Sequence, residues 1–179
     1  NKGLNMSKKI FTALMVGCGG ISEQWLKALK NFPEIRLIGL CDIIESNALK
    51  RKEEFELHEA AAGSSYKDML RNLKPDIVFD CTVPDSHAET VITAFKHGAD
   101  VLGEKPMAPS MREAHKMIAA SEKYGRTYTV VQNRRFHEHL FRFRNALQSG
   151  AAGRLHTLNA DFYLGPHFGG FREAMDHVL

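Results

Sequence analysis

The sequence predicts an α/β protein with a doubly wound parallel sheet, followed by the start of a truncated α+β domain. Three observations support this fold class. Short, mainly apolar runs of the β type alternate with helical segments, as in sheets buried on both faces. Helix starts and stops fall between these runs, and a different strand pattern appears only after residue 150. The predicted parallel strands cover residues 10–16, 35–41, 76–81, 99–103 and 127–131, with a shorter one near 60–62.

The helices between these strands have recognisable ends. Serines precede the helical patterns, and a serine hydroxyl can accept a hydrogen bond from a free amide of the first turn. Two of the serines are followed three residues later by a glutamate, which is the capping-box pattern. The predicted N-caps are Ser46, Ser65, Ser86 and Ser110, and the predicted C-terminal stops are Gly98 and Gly125.

The first domain is predicted over residues 8–133, where strands and helices alternate. The second, over 134–179, begins with a helical pattern at 136–150 and continues with alternating apolar and polar residues at 155–163. We interpret it as a connecting helix and the first strand of an incomplete C-terminal domain, because one strand alone is not stable. Residues 1–5 precede a candidate initiating methionine and are interpreted as a cloning remnant.

Composition narrows the function classes. The chain has 179 residues, is 44% hydrophobic and 25% charged, and carries a net charge of +3 without a dense basic block. These values argue against a nucleic-acid partner. No apolar run approaches the ~20 residues that span a bilayer. Because the three cysteines form no C-x-x-C pair, we expect reduced thiols, no structural metal and a cytoplasmic location.

The segment VGCGGIS, residues 16–22, follows the first strand and opens a helix. Gly17, Gly19 and Ser22 occupy the G-x-G-x-x-G/A positions of a dinucleotide-binding turn, in which the helix N-terminus faces a pyrophosphate. Asp42 ends the next strand, 42 − 19 = 23 residues after Gly19, near the spacing of the carboxylate that binds an adenosine ribose. Such a carboxylate repels a 2′-phosphate and therefore favours NAD over NADP. The alternatives are a merely tight turn and a helix cap at Asp42.

The segment TVPDSHAE brings polar residues to the same edge of the sheet. Thr82 to Pro84 are expected to line the nicotinamide half of the cofactor, because ligands of such sheets bind where the strand order reverses. His87 falls in the first turn of the following helix. It either reaches toward the same site or lies on the surface.

The segment EKP follows the strand at 99–103. Lys105 could donate a hydrogen bond to a substrate hydroxyl and stabilise its alkoxide character. In this interpretation burial lowers the pKa of Lys105, and Glu104 holds its ammonium group. Pro106 restricts Lys105 to extended conformations and favours a cis bond. The alternative is an exposed lysine in an ordinary loop.

Together these segments resemble the Gfo/Idh/MocA oxidoreductases, the glucose–fructose oxidoreductase and inositol dehydrogenase group. The resemblance extends from residue 8 to about 163, and EKP is its most specific part. It implies a Rossmann domain that binds NAD(P), then a domain that binds a polyol or sugar-like substrate and builds a homo-oligomer. The segments that carry it are residues 16–22, Asp42, YKDML (66–70), 76–89, 97–108 and QNRRFH (132–137).

The resemblance also implies the chemistry: an NAD(P)-dependent dehydrogenase that transfers hydride between a secondary CH–OH of a sugar or cyclitol and nicotinamide. Lys105 matches the position of the family's catalytic lysine. No metal site is expected. The predicted cofactor-binding residues are Gly17, Cys18, Gly19, Gly20, Ile21, Asp42, Thr82, Pro84, His87, Glu104 and Asn133.

The family's active site also takes an Asp and a His, a few residues apart, from the second domain, and the His is the general base. Asp176 and His177 are adjacent and do not fit this spacing, although the Gly-rich stretch 164–171 looks like the approach to the motif. We therefore expect this chain alone to be inactive. The alternative function is a cofactor- or sugar-sensing regulator on the same fold, without turnover.

Overall fold

The computed structural model describes residues 9–161. A six-stranded sheet in the order β3-β2-β1-β4-β5-β6 has parallel pairing throughout. The strands are β1 (Phe11–Val16), β2 (Ile35–Cys41), β3 (Ala61–Gly63), β4 (Ile77–Asp80), β5 (Asp100–Gly103) and β6 (Tyr128–Val130). The helices are α1 (Gly20–Leu29), α2 (Glu45–Glu54), α3 (Tyr66–Leu73), α4 (Pro84–Lys96), α5 (Met111–Tyr124) and α6 (Glu138–Gln148).

The predicted fold class is confirmed. All five predicted parallel strands are present, and the short sixth one forms at the edge of the sheet. The chain moves outward from β1 through β2 to β3, then returns to the other side of β1 and continues through β4, β5 and β6. The order therefore reverses between β1 and β4, which is where sheets of this type leave room for a ligand.

Apolar side chains on successive residues of β1 explain why the sheet is covered on both faces. Leu14 and Val16 point into a core shared with α3, α4 and α5, which includes Phe95 and Met117. Ala13 and Met15 point into the opposite core, with Leu26 of α1 and Ala48 of α2. A strand that is buried on both sides needs apolar residues at every position, as the sequence pattern indicated.

The structure gives different results for the four predicted N-cap serines. Ser110 caps α5, where its hydroxyl accepts a hydrogen bond from the Glu113 amide at 3.3 Å. Ser65 precedes α3 without capping it, since its hydroxyl donates instead to Asp68. The predictions for Ser86 and Ser46 are wrong, because both residues lie inside the helices that they were expected to start.

Helix α4 begins earlier than predicted because Pro84 occupies its first turn, where a proline's fixed φ fits and its missing amide costs nothing. At the other end of α5, Gly125 adopts φ +58°, the left-handed conformation expected of a helix stop. Gly98 follows α4 with φ +84°. Both predicted glycine stops are therefore confirmed.

Contacts divide the chain into two units, with the boundary after Val131. In the second unit, α6 forms within the predicted helical segment. Residues 155–161 have no regular secondary structure, in contrast to the strand predicted at 155–163. A strand needs a partner, and the described residues of this unit offer none.

Several predictions fall outside the described residues: those on residues 1–5, on 164–171 and on Asp176 and His177. Between residues 9 and 161, none of the helices is both long and apolar enough to cross a membrane.

Candidate functional site

The carboxyl ends of β1 and β4 touch at the point where the strand order reverses. Gly17 follows β1 with φ +86°, and a Cβ atom placed there would lie 2.5 Å from the Cys81 carbonyl oxygen and 2.8 Å from the Thr82 amide. Its own amide donates to the Cys41 carbonyl at 2.8 Å. Only glycine combines this backbone conformation with this close approach. The prediction that residue 17 makes a tight turn is confirmed.

Helix α1 starts directly after this turn, without a side-chain cap. Gly19 is the N-cap residue, and no atom lies within 4 Å of the position a Cβ would take there. The exposed Gly20 and Ile21 form the first turn. Free first-turn amides and the helix dipole make such an end favourable for an anion.

Ser22 is fully buried and stabilises the glycine turn through hydrogen bonds of its hydroxyl group. Its hydroxyl donates to the Gly19 carbonyl at 2.6 Å. Arg51 of α2 donates from Nε to the same hydroxyl at 3.2 Å and from Nη2 to the Gly19 carbonyl at 3.1 Å. Arg51 therefore fixes the Gly19 carbonyl, and the amides of the first turn of α1 remain open to a ligand.

Asp42 connects the glycine turn to the start of α2. Its Oδ2 accepts a hydrogen bond from the Cys18 amide at 2.7 Å. Its Oδ1 accepts from the Ile44 amide at 2.9 Å and from Asn47 Nδ2 at 3.2 Å. The alternative that Asp42 caps the helix is wrong, because Ile44 is the N-cap residue of α2 and no side chain caps this helix. A carboxylate offers about four acceptor sites, so about one remains for a further donor.

A cleft of about 410 Å³ opens between these strand ends, and we call it the β1–β4 cleft. Its volume falls within the ~300–1,000 Å³ range of small-molecule pockets. The exposed Ile43 and Val83 contribute apolar surface, and the charged residues of the lining are Asp42, Lys67 and Glu89. Its lining consists of Val16, Gly17, Cys41, Asp42, Ile43, Ser64, Ser65, Tyr66, Lys67, Thr82, Val83, Ser86, Glu89 and Thr90.

A buried polar network lies beneath the loop after β4. Asp80 and His87 are both fully buried, and His87 Nδ1 lies 2.8 Å from Asp80 Oδ2. Asp80 Oδ1 accepts from the Thr82 amide at 3.0 Å and from the Thr82 hydroxyl at 2.5 Å. The surface alternative for His87 is wrong. The ring supports the Thr82 loop and is not part of the lining of the β1–β4 cleft, and its Nε2 has no hydrogen-bond partner in the structure.

The tyrosine hydroxyls and cysteine thiols near this network stay protonated and uncharged. Burial raises the pKa values of the Tyr66 and Tyr128 hydroxyls well above their usual range, and the negative charge of Asp80 is the second cause. Burial likewise raises the pKa of the Cys18 thiol to about 12 and that of Cys41 to about 11. Thiols that stay protonated are poor nucleophiles. These cysteines fill space at the edge of the sheet.

The Lys105–Pro106 bond after β5 is cis, in agreement with the tendency inferred from the sequence. The Lys105 side chain is exposed and not buried as expected. Glu104 does not hold the ammonium: its Oε1 accepts from Trp25 Nε1 at 2.8 Å, and its Oε2 accepts from the Lys105 amide at 3.3 Å. Among the described residues, Lys105 Nζ forms no ion pair.

The structure thus brings Gly17, Asp42 and Thr82 to one cleft, with Pro84 at the start of the helix beside it. Asn133 lies in the second unit, in a turn before α6. In the part of the chain described here, no group of three or more His, Cys, Asp or Glu side chains has the arrangement of a metal site.

Three residues of the site were missed by the sequence analysis: Asp80, Arg51 and Trp25. A charged residue inside the otherwise apolar run 77–81 was a signal for Asp80, since buried carboxylates need partners. Arg51 was hidden in a charged segment that looks solvated. Nothing local in the sequence relates Trp25 to Glu104, 79 residues later.

Comparisons with known proteins agree with this arrangement. Residues 11–132 match the GFO_IDH_MocA family, described as an oxidoreductase family with an NAD-binding Rossmann fold. An uncharacterized oxidoreductase of Bacillus subtilis, YrbE, is 27% identical over 86% of this chain and 44% of its own length. The myo-inositol 2-dehydrogenase of Thermotoga maritima is 26% identical over 80% of this chain and 42% of its own length.

A solved structure also has this fold. The WlbA dehydrogenase of Chromobacterium violaceum, crystallised with NADH and UDP-GlcNAcA, superposes with a TM-score of 0.74 at 30% identity. The alignment covers 83% of this chain and 42% of that one. The chain therefore spans less than half the length of the proteins that it resembles.

Proposed function

Because the chain belongs to the Gfo/Idh/MocA oxidoreductase family, we propose that it is the cofactor-binding part of a dehydrogenase acting on CH–OH groups. The observation that carries this proposal is that Gly17, whose turn leads into the uncapped N-terminus of α1, and Asp42 line one cleft, while the Cys18 amide joins the turn to Asp42. Such a pair provides the two polar contacts that a dinucleotide needs, one for its pyrophosphate and one for a ribose.

The cofactor-binding residues are proposed as a set. Gly17 and Gly19 shape the turn, and the amides of Gly20 and Ile21 face the pyrophosphate. A Cβ at Gly19 would meet no atom of the protein, so the space beside this backbone can take a phosphate group. Cys18 contributes by tying the turn to Asp42.

We propose NAD as the preferred cofactor. Asp42 keeps about one acceptor site after its three internal hydrogen bonds, and a ribose hydroxyl can use it. A 2′-phosphate at the same place would bring negative charge against this carboxylate. Ile43 and Val83, which are exposed on the cleft lining, offer apolar surface to the adenine ring.

Lys105 is the proposed catalytic residue. Bound nicotinamide would supply the hydride acceptor. The Lys105 ammonium, which no described carboxylate pairs, would donate a hydrogen bond to the reacting hydroxyl oxygen and stabilise the negative charge that develops there. Thr82, Pro84, His87, Glu104 and Asn133 complete the proposed cofactor site, and His87 acts through the Thr82 loop that it supports.

The substrate class is proposed from the relatives. The Thermotoga maritima protein is named for myo-inositol, and the WlbA structure contains a nucleotide sugar. We propose a secondary hydroxyl of a sugar or cyclitol, a homo-oligomeric assembly and a cytoplasmic location, where three buried, reduced cysteines are expected.

Calorimetric titration of the complete gene product with NAD and with NADP tests the cofactor proposal. Tighter binding of NAD is expected, and binding of neither nucleotide would refute it. Lys105→Met should lower kcat by ~10² or more while NAD still binds, because one general acid or charge-stabilising group contributes about that much. An unchanged rate would remove Lys105 from the mechanism. A wild type that binds NAD but shows no turnover would favour the sensor.

A further inference from the structure

Glu104 uses both of its carboxylate oxygens inside the protein. Oε1 accepts a hydrogen bond from the indole Nε1 of Trp25 at 2.8 Å, and Oε2 accepts from the backbone amide of Lys105 at 3.3 Å. The Glu104 amide itself donates to the Asp80 carbonyl at 3.0 Å, which fixes the start of the turn to β4. The carboxylate therefore connects the Lys105 turn to a residue of α1.

Trp25 also makes an aromatic contact with a residue of β4. Its ring lies 5.5 Å from that of Phe79 in β4, measured between centroids, at an interplanar angle of 52°. Tilted pairs at this distance are favourable, and a partly buried indole N–H normally finds an acceptor. The indole thus packs against Phe79, and the hydrogen bond to Glu104 sets the direction of its N–H.

The connection joins two parts of the proposed site. Trp25 belongs to α1, whose N-terminus carries the amides proposed for the pyrophosphate, and Glu104 directly precedes Lys105. A hydrogen bond from a neutral donor to a carboxylate is stronger than one between neutral groups. Because Glu104 is occupied in this way, it orients the backbone of Lys105 and leaves the ammonium group available.

We propose that Trp25 is a positioning residue for Lys105, acting through Glu104. This inference rests on the proposed function, since it assigns Trp25 a role in setting the turnover rate. Loss of the indole N–H releases Glu104 Oε1 and widens the range of positions that Lys105 samples. Turnover then falls, while the contacts to the dinucleotide at the glycine turn and Asp42 remain.

The kinetic test uses the complete gene product. Trp25→Phe keeps the ring against Phe79 and removes only the donor, so kcat should fall about tenfold with KM for NAD within about twofold. Trp25→His restores a ring N–H and should recover part of kcat. Phe79→Leu is the matched control, because it changes the packing of Trp25 and keeps the donor; its kcat should stay within about threefold of the wild type.

An unchanged kcat in Trp25→Phe would overturn the positioning role. A higher KM for NAD with unchanged kcat would also overturn it, because Trp25 would then act only on cofactor binding. An equal loss of kcat in Phe79→Leu would assign the effect to packing and overturn the hydrogen-bond argument. Thermal melting of each variant verifies that it is folded.

The hydrogen bond itself is tested without turnover. The Trp25 indole N–H resonance in a ¹⁵N spectrum, identified by its loss in Trp25→Phe, should exchange with solvent at least about tenfold faster in Glu104→Ala. Equal exchange rates would show that the bond is absent and overturn the proposal. If the wild type neither binds NAD nor turns over, the proposed function and the positioning role both fail, and the exchange experiment judges the bond alone.

Discussion

Two glycines of one turn should respond differently to the same substitution. In Gly17→Ala the new Cβ would lie 2.5 Å from the Cys81 carbonyl oxygen, at a backbone φ of +86°. The left-handed conformation costs ~1–2 kcal/mol for a residue with a side chain, and forced displacement of packed atoms costs another ~1–3 kcal/mol. Alanine also restricts the unfolded chain, which returns ~0.4–1 kcal/mol. The net loss in the free energy of unfolding should be about 1–4.5 kcal/mol.

Gly19→Ala is the matched control. Its Cβ would meet no atom within 4 Å, and its φ of −74° suits alanine, so stability should change by less than about 1 kcal/mol. The new methyl group would instead occupy the space proposed for the pyrophosphate. The affinity of the Gly19→Ala variant for NAD should therefore fall about tenfold or more, which corresponds to ~1.4 kcal/mol.

Urea denaturation followed by circular dichroism gives the two stabilities, and calorimetry gives the NAD affinity of the folded variants. A Gly17→Ala variant within ~0.5 kcal/mol of the wild type would refute the close contact between the ends of β1 and β4. A Gly19→Ala variant that binds NAD as tightly as the wild type would refute the proposed position of the phosphate.

Three further predictions concern the network under the Thr82 loop, a helix cap and a buried thiol. Asp80→Asn should cost about 1–3 kcal/mol in the free energy of unfolding, because it replaces one of two buried carboxylate oxygens, which contact Thr82 and His87, with an NH₂ group that cannot accept a hydrogen bond. Ser110→Ala should cost ~1 kcal/mol, whereas Ser86→Ala, which removes no cap, should cost less than ~0.5 kcal/mol. Burial and the Asp42 carboxylate raise the pKa of Cys18 from 9.0 to about 12. The folded state therefore favours the protonated thiol, and this contribution to stability is complete below pH 9 and declines as the pH rises toward 12.

Urea denaturation midpoints test all three predictions. The pH dependence attributed to Cys18 is measured by comparing midpoints at pH 8 and at pH 10.5. A loss below ~1 kcal/mol in Asp80→Asn would mean that the pair contributes little. Equal effects at Ser110 and Ser86 would contradict the observed helix starts. Cys18→Ala should reduce the pH dependence, and an unchanged slope would assign it to other groups.

The sequence predicted the sheet well because its strands are marked by continuous apolar runs, which only a doubly covered parallel sheet requires. Helix starts were less certain. Ser110 and Ser86 carry the same S-x-x-E pattern, but Pro84 begins its helix two residues before Ser86, so the pattern there has no capping role. The strand predicted at 155–163 depended on partners that the described residues do not supply.

The site was predictable where the chemistry is local. The glycine turn and Asp42 are close to each other because adjacent parallel strands end at the same edge of the sheet. Roles that depend on contacts distant in sequence were not predictable. Glu104 was expected to bind the neighbouring Lys105 ammonium, yet it binds Trp25 of α1, and only the three-dimensional arrangement shows this.

The three hydrogen bonds of Asp42 constrain any redesign of coenzyme preference. Neutralising this residue to admit a 2′-phosphate would also release the Cys18 amide and disturb the segment that leads into α2. Engineering toward NADP would therefore have to keep the carboxylate and add positive charge elsewhere on the cleft lining, for example at Ser64 beside Lys67. In this chain, selectivity and the scaffold depend on the same side chain.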